Sequence, residues 1–143
     1  MSGRLVHAVA MAVDKTASLL GRGKDRAAHL ATGVRGEEEA YFYLRKLGYT
    51  MVARNFRSPR RRGEIDLIGY EGDVLCFIEV KTRTTRAVAP AEAAVDDDKQ
   101  RELAAVAQEY LRRLKDAPAS RFDVVSVYYE NGGKEITLFR GAF

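Results

Sequence analysis

The sequence predicts a single α/β domain in the order helix, three strands, helix, two strands. Three observations predict it. Apolar residues recur at helical spacing in two stretches, strand-length runs rich in Val, Ile, Phe and Tyr follow each stretch, and Gly, Pro, Asn or Asp punctuates the junctions. With 143 residues and 46% hydrophobic content the chain can build one core.

Residues 1–32 are small, polar and mixed in charge, and Gly21, Gly23 and Gly33 interrupt any long helical pattern. They read as a partly flexible extension or short helix before a domain over residues 33–143. From Gly36 onward, Ala40, Tyr43, Leu44 and Leu47 recur at helical spacing and Gly48 supplies a stop. Strands are expected over Tyr49–Phe56, Glu64–Tyr70 and Val74–Thr82. Ser58, Pro59 and Gly63 mark the first turn and Glu71-Gly72 the second, so the three runs form an antiparallel meander. A second helix carries Leu103, Val106, Tyr110 and Leu114 on one face, with Asp97 and Gln100 related as in an N-cap box. Phe122–Tyr129 and Glu135–Phe139 are the last strands, on either side of Asn131-Gly132-Gly133.

Charge and cysteine usage narrow the function classes. A net charge of +4 and a pI near 9.3 permit a polyanionic partner without requiring one. Residues 1–33 hold five basic and two acidic side chains, so the rest of the chain is nearly neutral and its charge is arranged in clusters. The single cysteine, Cys76, lies in an apolar run, which excludes an internal disulfide and suits a reducing cytoplasm. The segment Leu5–Val13 is interrupted by His7 and followed by Asp14, so neither a leader nor a membrane span is expected.

The run that carries chemistry is Val74-Leu-Cys-Phe-Ile-Glu-Val-Lys-Thr82. Side chains alternate across a strand, so Glu79 and Lys81 share a face, and a carboxylate beside an amine is costly to bury without partners. Asp66 lies on the preceding strand. With Glu71-Gly72 as a two-residue loop, Tyr70 faces Asp73 and Asp66 faces Phe77. Asp66 and Glu79 are then diagonal neighbours about 7–8 Å apart, and a slip of one residue would put them on opposite faces. Two such carboxylates suit Mg²⁺ (or Mn²⁺), which takes one or two protein oxygens, several waters and substrate phosphate. Lys81 would orient a water or offset charge on the phosphate. Glu37 on the first helix is a further candidate, with Glu38 and Glu39 beside it and only the helix phase to choose among them. The competing reading is that Glu79 and Lys81 form an exposed ion pair of little consequence. Placement of the degenerate Asp…Glu-x-Lys pattern on adjacent strands flanked by helices argues against it.

These residues carry a resemblance. Gly33-Val-Arg-Gly-Glu37, Ala40, Tyr43-Leu44, Gly48-Tyr49, Arg54-Asn-Phe-Arg57, Gly63-Glu-Ile-Asp-Leu-Ile68, Phe77-Ile-Glu-Val-Lys-Thr-Arg83, Lys99-Gln100 and Arg121-Phe-Asp-Val-Val125 resemble the bacterial YraN family of predicted endonucleases. That family is similar to archaeal Holliday-junction resolvases and to the PD-(D/E)xK nuclease superfamily. The resemblance implies a restriction-endonuclease-like α/β core with a mixed central sheet flanked by helices, a divalent metal and a nucleic-acid substrate. It would make Asp66 and Glu79 the metal ligands, with Val80 and Glu37 also in the metal set, Lys81 the catalytic lysine and Glu37 the auxiliary acid from the first helix. Lys99 and Gln100 match a motif on the second helix that supports substrate or active site. Ile65 stands where the superfamily's nominal proline would be.

Arg54, Arg57, Arg60, Arg61 and Arg62 lie in or before the first turn with no acid between Arg54 and Arg62, and Arg83 and Arg86 follow the catalytic strand. Arginine forks suit phosphate oxygens, so both clusters are candidate contacts to a nucleic-acid backbone, against the plainer reading of solvated loops. His7 and His29 have no ligand-like neighbours. Asp96-Asp97-Asp98 reads as helix capping, Asp123 beside Arg121 as a structural ion pair, and Tyr41, Tyr43 and Tyr110 as core or rim. The expected activity is phosphodiester hydrolysis in branched or single-stranded DNA during repair or recombination. Resolvase-like action would need a homodimer, and a helicase or recombination protein is a candidate partner. The alternative is a non-catalytic nucleic-acid-binding component of a DNA-processing complex.

Overall fold

A computed structural model describes residues 20–84 and 95–143. Its elements are α1 (Leu20–Lys46), β1 (Thr50–Phe56), β2 (Ile65–Glu71), β3 (Val74–Arg83), α2 (Asp97–Leu111), β4 (Ser120–Glu130) and β5 (Gly133–Phe139). This is the expected order. The five strands form one sheet in sequence order, antiparallel at every junction except β3–β4, which is parallel. A parallel pair needs a long crossover, and the segment containing α2 provides it.

The helices cover opposite faces of the sheet, so each face has its own core. On one, Leu103, Val106 and Ala107 of α2 pack against Ile68, Phe77 and Val124. On the other, Ala40 and Leu44 of α1 pack against Leu67, Ile78, Val80 and Val125. The central strands are apolar on both sides because both sides are covered, and each fully buried Leu, Ile, Val or Phe is stabilised by about 1.5–3 kcal/mol. Tyr110 presents its edge to Phe56 and Phe77, and Phe143 stacks on Phe122 to close the α2 face. Cys76 is buried and free, with its thiol pushed up to about 11 by burial, and behaves as a small apolar side chain. No described helix is long and apolar enough to cross a membrane.

Three expectations need correction. First, α1 begins at Leu20 and runs through Gly21, Gly23 and Gly33. Glycine costs a helix only about 1 kcal/mol, and the Ala, Leu and Arg residues around these positions offset it. Secondly, the β2–β3 loop is Gly72-Asp73, with Glu71 opposite Val74 and Ile68 opposite Phe77. Gly72 adopts a φ of 59°, the left-handed conformation such a loop requires, as do Asn131 and Gly132 in the β4–β5 hairpin. The register is displaced by two residues from the expected one, which leaves every side chain on its expected face. Thirdly, the α2 cap is Asp96, whose carboxylate accepts from the Lys99 N–H at 2.8 Å, and the helix ends before Leu114. Val95, buried in the core, sets this phase.

One close approach positions the site. A Cβ on Gly36 would stand 1.9 Å from Thr82 Oγ1 and 2.9 Å from Thr82 Cβ, so α1 crosses β3 here only because residue 36 has no side chain. Gly33, three residues earlier, has open space around it. Gly33→Ala is therefore expected to stabilise the fold by about 0.5–1 kcal/mol through helix propensity. Gly36→Ala is expected to destabilise it by about 1–3 kcal/mol despite the same propensity gain. Thermal denaturation of the two variants checks the opposite signs.

Candidate active site

Asp66 is the second residue of β2 and Glu79 lies toward the far end of β3, so both sit at one end of the sheet. The paired β2–β3 register ends at Leu67 opposite Ile78. One step further, the Asp66 carboxylate replaces a backbone acceptor: its Oδ2 takes the Val80 N–H at 2.9 Å. Asp66 is two residues from Ile68 and Glu79 two from Phe77, both in the core under α2, which puts the acids on a common face. The two carboxyl groups lie close enough to influence each other's ionisation. Asp66 is 0% exposed and Glu79 2%. Lys81, next on that face, brings Nζ to 3.2 Å from Glu79 Oε2 with its side chain 18% exposed. The ammonium is thus partly open to solvent while the acids are not.

Glu37 arrives from α1. Gly36, Ala40 and Leu44 form the buried stripe of the helix, which leaves Glu38 exposed and turns Glu39 to an ion pair with Lys134. Glu37 Oε1 instead accepts from Asn55 Nδ2 at 2.9 Å, and its carboxylate lies within electrostatic range of Glu79 and Asp66. The helix phase therefore selects Glu37 from the three.

Burial pushes the Asp66 carboxyl well above its usual range, and the neighbouring Glu79 adds to the shift. For Glu79 burial works in the same direction. The Asp66 carboxyl beside it and the Lys81 ammonium act in the lowering direction. Glu37 is raised by burial, against the lowering effect of the Asn55 hydrogen bond.

The donor set fits a small hard cation. Asp66 Oδ1 is buried with no hydrogen-bond partner among the described residues, an acceptor that water or a cation would satisfy. Two carboxylates suit Mg²⁺ or Mn²⁺ completed by water and substrate oxygens. Among the described residues no three His, Cys, Asp or Glu side chains converge as a ready-made metal cage. Glu37 is turned to Asn55, and the Val80 side chain is packed in the α1-side core, so only the Val80 backbone could take part.

The other selected residues are distributed unevenly. Arg54 lies over the Tyr41 ring at 4.6 Å, and Arg57 is bound to the buried Glu64 at 2.8 Å. Arg60, Arg61 and Arg62 are exposed on a turn held to α2 by a hydrogen bond from Ser58 Oγ to Glu109 at 3.3 Å. Arg83 is half-buried, with its Nε lacking a hydrogen-bond partner among the described residues, and Arg86 lies outside those residues. Lys99 and Gln100 make local contacts at the start of α2, where the Gln100 amide donates to the Val95 carbonyl at 3.0 Å. Two groups at the site were not selected from sequence alone, Asn55 and Glu64. Their signal was available in Arg54-Asn-Phe-Arg57 and Gly63-Glu-Ile-Asp66, but an Asn or Glu beside a strand has no periodicity to mark it.

A mixed five-stranded sheet between two helices, with a buried acid pair and a lysine at one end, defines the class: an α/β domain consistent with a restriction-endonuclease-like core. Within that class the chain belongs to UPF0102, whose family model, described as "Uncharacterised protein family UPF0102", matches residues 36–127. The matched span includes Glu37, Asn55, Asp66, Glu79 and Lys81. The chain is 57% identical over 119 residues to a UPF0102 protein of Koribacter versatilis, covering 83% of each chain. It is 47% identical over 109 residues to one from Solibacter usitatus, 76% of this chain and 82% of the relative. With one from Geotalea uraniireducens it shares 40% identity over 125 residues, 85% and 96% of the two chains.

A raised folded-state pKa favours the native state at low pH, and that contribution is lost as pH rises through the shifted value. For Asp66 the loss runs upward from about pH 4, its unfolded value. Asp66→Asn is therefore expected to raise the metal-free unfolding temperature at pH 7.5 by several degrees, on the order of 1–2 kcal/mol, with the gain vanishing near pH 4. Mg²⁺ should raise the wild-type temperature and leave Asp66→Asn unmoved. Thermal scans across pH, with EDTA or Mg²⁺, check both signs.

Proposed function

We propose that this protein is a divalent-metal-dependent nuclease that hydrolyses phosphodiester bonds in DNA, with branched or single-stranded structures as substrates. One observation carries the reading: two interior carboxylates share a site with a half-open lysine, and one oxygen of Asp66 lacks a hydrogen-bond partner there. A purely binding surface has no use for so costly an arrangement.

Asp66 and Glu79 would hold Mg²⁺ or Mn²⁺, with the Val80 backbone beside them; the bound cation supplies charge neutralisation at the phosphate and a more acidic water. Glu79 holds the Lys81 ammonium toward the site, where it can orient the attacking water or meet charge building up on the phosphate. Hydrolysis adds water across phosphorus and breaks one P–O ester bond, leaving one phosphate end and one hydroxyl end. Glu37 lies within range to orient a water, and its raised pKa suits it to exchange a proton nearer neutrality than an exposed glutamate would. Arg60, Arg61 and Arg62 on their anchored turn, with Arg54 on β1 and Arg83 on β3, would supply contacts to backbone phosphates, so binding would be salt-dependent and largely blind to sequence. Cytoplasmic DNA, a homodimer on symmetric junctions and a helicase or recombination protein as partner belong to the same proposal.

Purified protein incubated with flaps, forks and four-way junctions in Mg²⁺ or Mn²⁺ tests it. Lys81→Ala should lower cleavage by about 10²-fold or more while DNA affinity changes little. Cleavage unchanged in Lys81→Ala would remove the lysine from the chemistry. No cleavage of any substrate with either metal would favour a non-catalytic DNA-binding component.

A further inference from the structure

We propose that Asn55 is a positioning residue of this centre, whose side-chain amide clamps Glu37 to Glu64 and so holds Glu37 beside the Asp66–Glu79 pair rather than turned to solvent. The inference rests on the metal-centre reading above and adds a residue to it.

The backbone is the first sign. Asn55 has a φ of 51°, one of two non-glycine residues with positive φ among the described residues, and the other sits in a hairpin turn. Arg54 lies against Tyr41 of α1, whereas Phe56 lies against Tyr110 in the α2-side core. Residues two apart on a regular strand share a face, so the left-handed conformation of Asn55 is what changes the phase of β1 here. Asparagine tolerates that conformation better than nearly any residue but glycine. The register places it beside Asp66, between Arg54 opposite Leu67 and Phe56 opposite Ile65.

The amide is the second sign. Nδ2 donates to Glu37 Oε1 at 2.9 Å and to Glu64 Oε1 at 3.2 Å, joining an acid from the helix to one entering β2. Arg57 Nε anchors Glu64 at 2.8 Å, so the clamp has a fixed end, 2% exposed, and a working end, Glu37. Four carboxylates gather at this end of the sheet, and repulsion would turn the most exposed of them, Glu37, toward solvent. A lysine in place of Asn55 would prevent that by neutralising the charge a cation needs. A carboxamide holds two acids through N–H donors and carries no charge of its own.

Mn²⁺ titration calorimetry tests the role without requiring cleavage. Asn55→Gly keeps the backbone conformation and removes the amide. It is expected to weaken Mn²⁺ binding by about 10-fold, as loss of an outer-shell partner does, with an unfolding temperature in EDTA close to wild type. Glu37→Gln should weaken binding comparably, and the double variant should bind no more weakly than either single one, since Asn55 acts through Glu37. If a cleavable substrate is found, Asn55→Gly should lower kcat with KM for DNA unchanged. Asn55→Ala lacks the same donor and must show the same Mn²⁺ affinity. Wild-type affinity in Asn55→Gly, additive losses in the double variant, or failure of both Asn55 variants to fold would each overturn the proposal. Asp66→Asn, titrated in parallel, separates the two levels. If it binds Mn²⁺ like wild type, the metal centre itself is wrong. If it loses Mn²⁺ while Asn55→Gly does not, only the role of Asn55 fails.

Discussion

Two carboxyl groups in contact inside a β-sheet cannot both be ionised cheaply, because neither has water and each repels the other. The structure of this protein around its β2–β3 pair is arranged about that constraint. The Val80 N–H meets the Asp66 carboxylate and Lys81 stands against Glu79, while burial and the neighbouring Glu79 push the Asp66 carboxyl upward. What the surroundings do not supply is a second donor for Asp66. A sheet that needed the aspartate only for cohesion would gain by replacing it with an apolar side chain.

A second buried aspartate shows what complete satisfaction looks like. Asp123 of β4, opposite Ile78 in the register and equally inaccessible, accepts from Arg121 Nε at 2.9 Å, from the Gly141 N–H at 2.9 Å and from Tyr49 Oη at 3.4 Å. Arg121 and Arg140 both reach Glu71, and hydrogen bonds from Arg140 and then Arg121 hold that carboxyl down to about 2. This network ties β2, β4 and the segment after β5 into one rigid end. The two aspartates thus differ: donors from the chain reach both oxygens of Asp123, whereas one oxygen of Asp66 meets none among the described residues. Burial alone does not distinguish the two aspartates, but the count of their donors does.

Access to the open end depends on the helices. α1 approaches β3 through the missing side chain of Gly36 and delivers Glu37, while α2, through Glu109 and Ser58, holds the arginine-bearing turn near the same edge. The acids are carried by strands and the arginines by a loop. For the proposed nuclease, a strand-borne charged interior beside a loop-borne arginine surface is the division expected of a site that holds its own geometry and meets a polyanion through its loops.

Much of this was legible in the residues. Apolar runs of strand length, helical spacing in Ala40, Leu44, Leu103 and Val106, and Asn131-Gly132 between two strands determined the elements and their order, because local periodicity and turn chemistry are properties of neighbouring residues. Alternation alone put Glu79 and Lys81 on one face, and a two-residue error in the hairpin loop did no harm because strand faces repeat every two residues. Only the tertiary structure decided the parallel pairing of β3 with β4, the choice of Glu37 over Glu38 and Glu39, and the αL kink at Asn55 that joins two acids. It also decided that the second oxygen of Asp66 meets no donor while both oxygens of Asp123 do. Those are relations between residues distant in the chain, set by how helices and strands pack, and no local pattern encodes them.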